Sequence, residues 1–180
     1  MANKDPERTA ATRRRIMDAY WGIYAADPAR AVTVSAVIEA AGVHRSTFYQ
    51  YFPDAPAVLT AIEDELAEMF GTEASRALES GGKDPAGIVQ RVYVAHGDRL
   101  SVLLGESGDP AFARRIKDAL APVAVRGLGN AENAFAPYLF EFVVTGILAA
   151  VTLWYERGRD LDPAEFGKGI RGVLEAVARV

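Results

Sequence analysis

The chain has 180 residues, half of them apolar and about a quarter charged, with a formal net charge of −4 and no cysteine. This is the composition of a soluble globular protein, and it excludes a disulfide framework, a thiolate metal site and a cysteine nucleophile. The opening MANKDPERTAATRRR is polar and charged and lacks the apolar stretch of a secretory signal, so a cytoplasmic location is expected.

Taken in chain order, the first helix is expected from about Thr9, because Ile16, Ala19, Tyr20, Ile23 and Tyr24 recur on one face at helical spacing. Arg13, Arg14 and Arg15 occupy the rest of its surface, and Asp27-Pro28 ends it. A short helix follows Thr33, whose hydroxyl suits an N-cap, with Val34, Val37, Ile38 and Ala41 on its inner face. Gly42 can take the left-handed conformation that closes a helix, and Val43 is an apolar plug in the turn. A second short helix is expected to about Tyr51, turning Phe48 and Phe52 inward. Asp54 caps a longer helix in which Val58, Ile62, Leu66, Met69 and Phe70 repeat at three or four residues, until Ser80-Gly81-Gly82 breaks it.

Further helices are expected over Ile88–Leu104, Pro110–Leu120 and Tyr138–Tyr155, and from Pro163, where Phe166, Ile170, Val173, Leu174 and Val177 share a face. Asp84-Pro85, Asp109-Pro110 and Asp162-Pro163 each place a capping carboxylate before a proline at the first helical position, and Glu165 completes a capping box with Asp162. The stretch 122–130, with one proline and two glycines, is expected to be irregular. Strand signals are almost absent, so the fold class is all-α with about nine helices. The segment Tyr138–Tyr155 carries the single charge Glu141, and its uncharged part, Phe142–Tyr155, is shorter than the roughly 20 residues a bilayer span needs. It reads as a buried helix, with no membrane role.

Two short helices joined by a glycine turn make a helix-turn-helix. Such a motif reads DNA by laying its second helix in the major groove, where the N-terminal residues meet base edges and their neighbours meet phosphates. Arg45 can donate a bidentate pair to guanine. Thr33, Ser35, His44, Ser46, Thr47, Tyr49, Gln50 and Tyr51 are the further candidate contacts, with Tyr49 long enough to reach a phosphate. Charge runs in the same direction: residues 1–52 carry +2 and residues 53–180 carry −6. Arg13, Arg14 and Arg15 read equally well as groove or phosphate contacts and as a solvated face.

The run AVTVSAVIEAAGVHRSTFYQYFPD resembles the signature of the tetracycline-repressor (TetR) family of bacterial transcriptional regulators, with Thr33, Ala41-Gly42-Val43, Ser46-Thr47, Phe48-Tyr49 and Phe52 at the matching places. The resemblance spans about residues 9–70. Leu103–Phe112 and Trp154–Gly158 are similar, more weakly, to a turn and to the end of the dimerisation pair in the family's C-terminal domains. It implies a three-helix DNA-binding domain over 1–53 and an all-α ligand-binding and dimerisation domain over 54–180. It also implies a homodimeric repressor released from a palindromic operator by a small, largely apolar effector. Two residues depart from the pattern. Ala55 stands where the family commonly has a phosphate-binding lysine, and His44 stands where a small cap is usual.

Those departures keep a second reading open, a helical ligand- or protein-binding module with weak or lost DNA binding. The dimer surface is expected on helices 138–156 and 163–179, where Gly146, Ala149 and Ala150 permit close approach and Phe142, Ile147, Leu148, Val151 and Trp154 supply apolar area. Tyr93, His96, Phe112, Tyr138 and Trp154 are candidate pocket residues, although aromatic residues at helical spacing are more often core. No cofactor or metal is expected, since His96 has no second histidine nearby. Gly105-Glu106-Ser107-Gly108 falls one residue short of a nucleophile elbow. No nucleophile, base and orienter stand at a recognisable spacing, so no enzymatic activity is expected.

Overall fold

The computed structural model describes residues 6–105, 108–128 and 134–177. Glu106 and Ser107 of the near-elbow, and Gly129 and Asn130 of the expected irregular stretch, lie outside them. Among the described residues the chain is all helical, with eight helices and no strand: α1 Pro6–Tyr24, α2 Val34–Ala41, α3 Arg45–Tyr49, α4 Pro56–Glu79, α5 Pro85–Leu103, α6 Pro110–Leu128, α7 Ala136–Glu156 and α8 Pro163–Val177. It divides into two compact units, Met1–Glu65 and Leu66–Val180, so α4 begins in the first and ends in the second.

In the first unit α1 packs along α2. Its core is built from Ile16, Met17, Tyr20 and Tyr24 of α1, Val37 and Ala41 of α2, Phe48 of α3, Phe52 beyond it, and Val58 and Ile62 of α4. Helix ends follow local chemistry. The Ala36 N–H donates to Thr33 Oγ1 at 3.3 Å, and the Ala57 N–H donates to Asp54 Oδ1 at 2.8 Å. Each carboxylate or hydroxyl thus satisfies a backbone donor that the first helical turn leaves unpaired.

In the second unit α7 lies against α5 and α6, and α8 lies against α5. The Asp caps form as the Asp-Pro pairs predict: Gly87 N–H to Asp84 at 2.9 Å, Ala111 N–H to Asp109 at 2.8 Å and Ala164 N–H to Asp162 at 2.9 Å. Helix α5 is kinked at His96 (φ −136°, ψ 20°). Beside the kink, Gly97 meets the Tyr155 ring so closely that a Cβ would lie under 3.0 Å from it. Helix α6 runs through Pro122 to Leu128, so most of the expected irregular stretch is helical. A mid-helix proline removes a hydrogen bond and crowds the preceding turn. Here complete burial of Leu120 and Val123, with Ala124 at 1% exposure, offsets that cost. The described residues hold eight helices where the sequence reads as about nine.

Among the described residues α7 is the one helix long and apolar enough to cross a membrane. At 21 residues it exceeds the uncharged segment, because it takes in Glu141, which is ion-paired with Lys117 of α6. Its inner face is committed to its own unit: Val143, Val144, Ile147, Leu148, Val151 and Trp154 are all buried.

Candidate nucleic-acid interface

The α2–α3 turn is set by two backbone hydrogen bonds. The Gly42 N–H donates to Glu39 O at 3.2 Å and the Val43 N–H to Ile38 O at 3.1 Å. This pairing needs a left-handed residue between helix and exit, and Gly42 supplies it at φ 60°. Helix α3 then covers only Arg45–Tyr49, and Gln50 and Tyr51 form the turn after it. Its N-cap His44 makes no side-chain cap. Phe48 is fully buried and Phe52 is 5% exposed, with ring centroids 6.1 Å apart, which pins one side of α3 to the core.

Fixing that side turns the other outward. Arg45, Ser46 and Gln50 are exposed, Thr47 and Tyr51 are half-buried, and Tyr49 is 46% exposed. Arg45 Nη2 donates to Tyr49 Oη at 3.2 Å, and its guanidinium carbon sits 5.5 Å from the Tyr49 ring centroid. The two residues lie one helical turn apart, so the phenol holds the guanidinium at the outer surface. Ser35, Thr33 and His44 are exposed at the neighbouring ends of α2 and α3. The Thr33 hydroxyl oxygen is already engaged in capping α2. The nine candidate DNA contacts therefore gather on α2, α3 and the turns beside them.

Two cationic expectations come out differently. Arg13 is paired with Glu65 of α4 at 2.6 Å and stacked 5.6 Å from the Phe52 ring centroid, while Arg14 and Arg15 are exposed. Ala55 is 4% exposed, so the position before α4 offers a buried methyl group, flanked by the capping carboxylate of Asp54.

The five candidate pocket residues differ widely in exposure. Tyr93 is fully buried and shares a 2.6 Å hydrogen bond with Thr152, and burial pushes its phenol up to about 12. Phe112 is fully buried. Trp154 Nε1 donates to Leu161 O at 3.0 Å, and its ring stacks on Phe166 at 4.8 Å. These three pack in the helical core. His96 is half-buried at the α5 kink. Tyr138 is 70% exposed and stacked on Phe135.

Residues 16–62 match the family described as bacterial regulatory proteins of the tetR family. No curated protein matches the chain. Among solved structures, the chain is similar to a TetR transcriptional regulator from Streptococcus agalactiae 2603V, at 19% identity, covering 95% of this chain and 96% of that one with a TM-score of 0.67. It is similar to a transcriptional regulator of the TerR/AcrR family from Aquifex aeolicus VF5, at 16% identity over 92% and 99% of the two chains with a TM-score of 0.69. It is also similar to the TetR-like regulator LfrR from Mycobacterium smegmatis, solved in complex with proflavine, at 23% identity over 92% and 96% with a TM-score of 0.53. At these identities the likeness establishes a shared fold.

Proposed function

We propose that this chain, a tetR-family protein in its residues 16–62, is a cytoplasmic, sequence-specific DNA-binding regulator that acts as a homodimeric repressor. The observation that carries the reading is the outward surface of α3, where Arg45 is held by Tyr49 beside exposed Ser46 and Gln50 while Phe48 and Phe52 anchor the helix from behind. That surface presents a guanidinium, hydroxyls and an amide, the donors and acceptors that read base edges. The chain acts in this reading by binding, without catalysis.

A homodimer is supported by the outer face of α7. Tyr138 is 70% exposed, Phe142 68% and Leu153 56%, and Val173 of α8 is 60% exposed. A palindromic operator asks for two reading helices ~34–36 Å apart, one from each copy of a homodimer. A small, largely apolar effector would release the homodimer from DNA; that a similar regulator, LfrR, was solved with proflavine supports a small-molecule ligand. Effector and DNA would then weaken each other by the same factor.

Selection from a random duplex library, followed by gel shifts at rising salt, tests the reading. The expected result is an enriched palindromic motif, bound with an affinity that falls linearly on a log–log plot against salt. Failure to enrich any motif overturns it. The alternative, a helical module with weak DNA binding, is favoured by Ala55 and Asp54 before α4, which place a methyl group and a carboxylate where a cation would meet phosphate. It predicts salt-sensitive binding with no sequence preference.

A further inference from the structure

Among the described residues, Arg13 is the arginine of the Arg13–Arg15 run with an ion pair and a ring contact. Its Nη1 donates to Glu65 Oε1 at 2.6 Å, and its guanidinium carbon lies 5.6 Å from the Phe52 ring centroid. Phe52 in turn meets Phe48, the fully buried residue of α3. The contacts form one chain from α4 through α1 to the reading helix: Glu65, Arg13, Phe52, Phe48. The contacts run beside the apolar core of Ile16, Phe48, Phe52, Val58 and Ile62, which the three helices share, and add a polar link at its edge. Glu65 is also the last residue of the first compact unit, on a helix that continues into the second.

We propose that Arg13 is a positioning residue that straps the reading helix to α4, and that it is not itself a DNA contact. The planar guanidinium suits the task, since it can pair with a carboxylate at its edge and stack on an aromatic ring with its face. A lysine would keep the charge and lose the stacking geometry. The inference rests on the proposed DNA-binding role of α3 for its functional consequence.

The strap and a phosphate contact predict opposite outcomes at Glu65. Replacing a carboxylate near DNA by an amide removes repulsion, so Glu65→Gln leaves DNA binding unchanged or tightens it if Arg13 simply meets phosphate. If Arg13 is the strap, Glu65→Gln weakens binding to the selected duplex, by about two- to fivefold for a partly exposed pair. The full-length chain, Arg13→Gln, Glu65→Gln, Arg13→Lys and the exchanged pair Arg13→Glu with Glu65→Arg are titrated by fluorescence anisotropy against the duplex enriched by the wild type. Weaker binding by both glutamine variants, an unchanged salt slope and partial recovery in the exchanged pair are expected. A salt slope lowered by about 0.9 in Arg13→Gln alone, with Glu65→Gln unaffected, overturns the strap in favour of a phosphate contact.

Hydrogen exchange in the free protein decides the strap independently of DNA. Glu65→Gln should speed exchange at the Phe48, Tyr51 and Phe52 amides, which donate to His44 O and Phe48 O at 2.9–3.0 Å. Unchanged exchange there overturns the strap. A wild type that enriches no duplex counts against the DNA-binding reading alone, because the exchange result still stands.

Discussion

Replacing Arg45 by alanine should separate specific from nonspecific DNA binding. In the free protein Arg45 is exposed, and its partners are the Tyr49 hydroxyl at 3.2 Å and the Tyr49 ring. Truncation therefore opens no cavity and leaves no buried group unsatisfied, and the stability change should stay within about 0.5 kcal/mol. Because Tyr49 already orders the guanidinium, little of its binding energy is spent on side-chain ordering. A bidentate contact to guanine is worth about 1–3 kcal/mol of discrimination, which is about 5- to 150-fold in Kd. Anisotropy titrations should show that loss on the enriched duplex, a much smaller loss on an unrelated duplex, and relaxed preference at one base pair of each half-site. An equal loss on both duplexes with a shallower salt slope would reassign Arg45 to phosphate. No loss on either would refute its role altogether.

Three further outcomes follow from the packing. Phe142→Asp places a charge in the middle of the exposed aromatic face of α7, so sedimentation should find a dimeric wild type and a monomeric variant that is still folded; an unaltered dimer would move the interface elsewhere. Gly97→Ala forces a Cβ to within 3.0 Å of the Tyr155 ring, and overpacking of this kind costs about 1–3 kcal/mol, read as a lower denaturation midpoint; an unchanged midpoint would mean that the α5–α7 contact yields freely. Burial pushes Tyr20 and Tyr93 up to about 12 from 10.0, so each binds its proton more tightly in the folded chain. The stability they contribute is complete below pH 10 and is lost as pH rises from 10 to 12, on the order of 2–3 kcal/mol for Tyr93. Thermal midpoints should fall across that window while the Tyr20 and Tyr93 phenols resist ionisation in the ultraviolet titration. A flat stability curve from pH 9 to 12 would contradict the burial argument.

What could be read from the sequence was local chemistry. The caps at Thr33, Asp54, Asp84, Asp109 and Asp162 and the left-handed Gly42 are decided within a few residues, and the structure forms each of them. The inward turn of Phe48 and Phe52 follows from helical spacing for the same reason. Tertiary effects were hidden. The helix through Pro122 survives because burial outweighs a local penalty. The Arg13–Glu65 pair joins residues 52 apart, and nothing in either neighbourhood announces the other. Periodicity on α7 and α8 marks apolar faces but not what covers them. Ile147, Leu148, Val151 and Trp154 go to the chain's own core, whereas Phe142 and Val173 stay exposed. Helical spacing favoured the core for Tyr93 and Phe112 without excluding a cavity wall, and both are fully buried.

The assignment of α3 to DNA is tested most directly by amide hydrogen exchange of the whole chain with and without the enriched duplex. Slower exchange across residues 33–52, strongest from His44 to Tyr51, is the expected result. Protection confined to residues 66–177, with the α2–α3 turn unaffected, would contradict it.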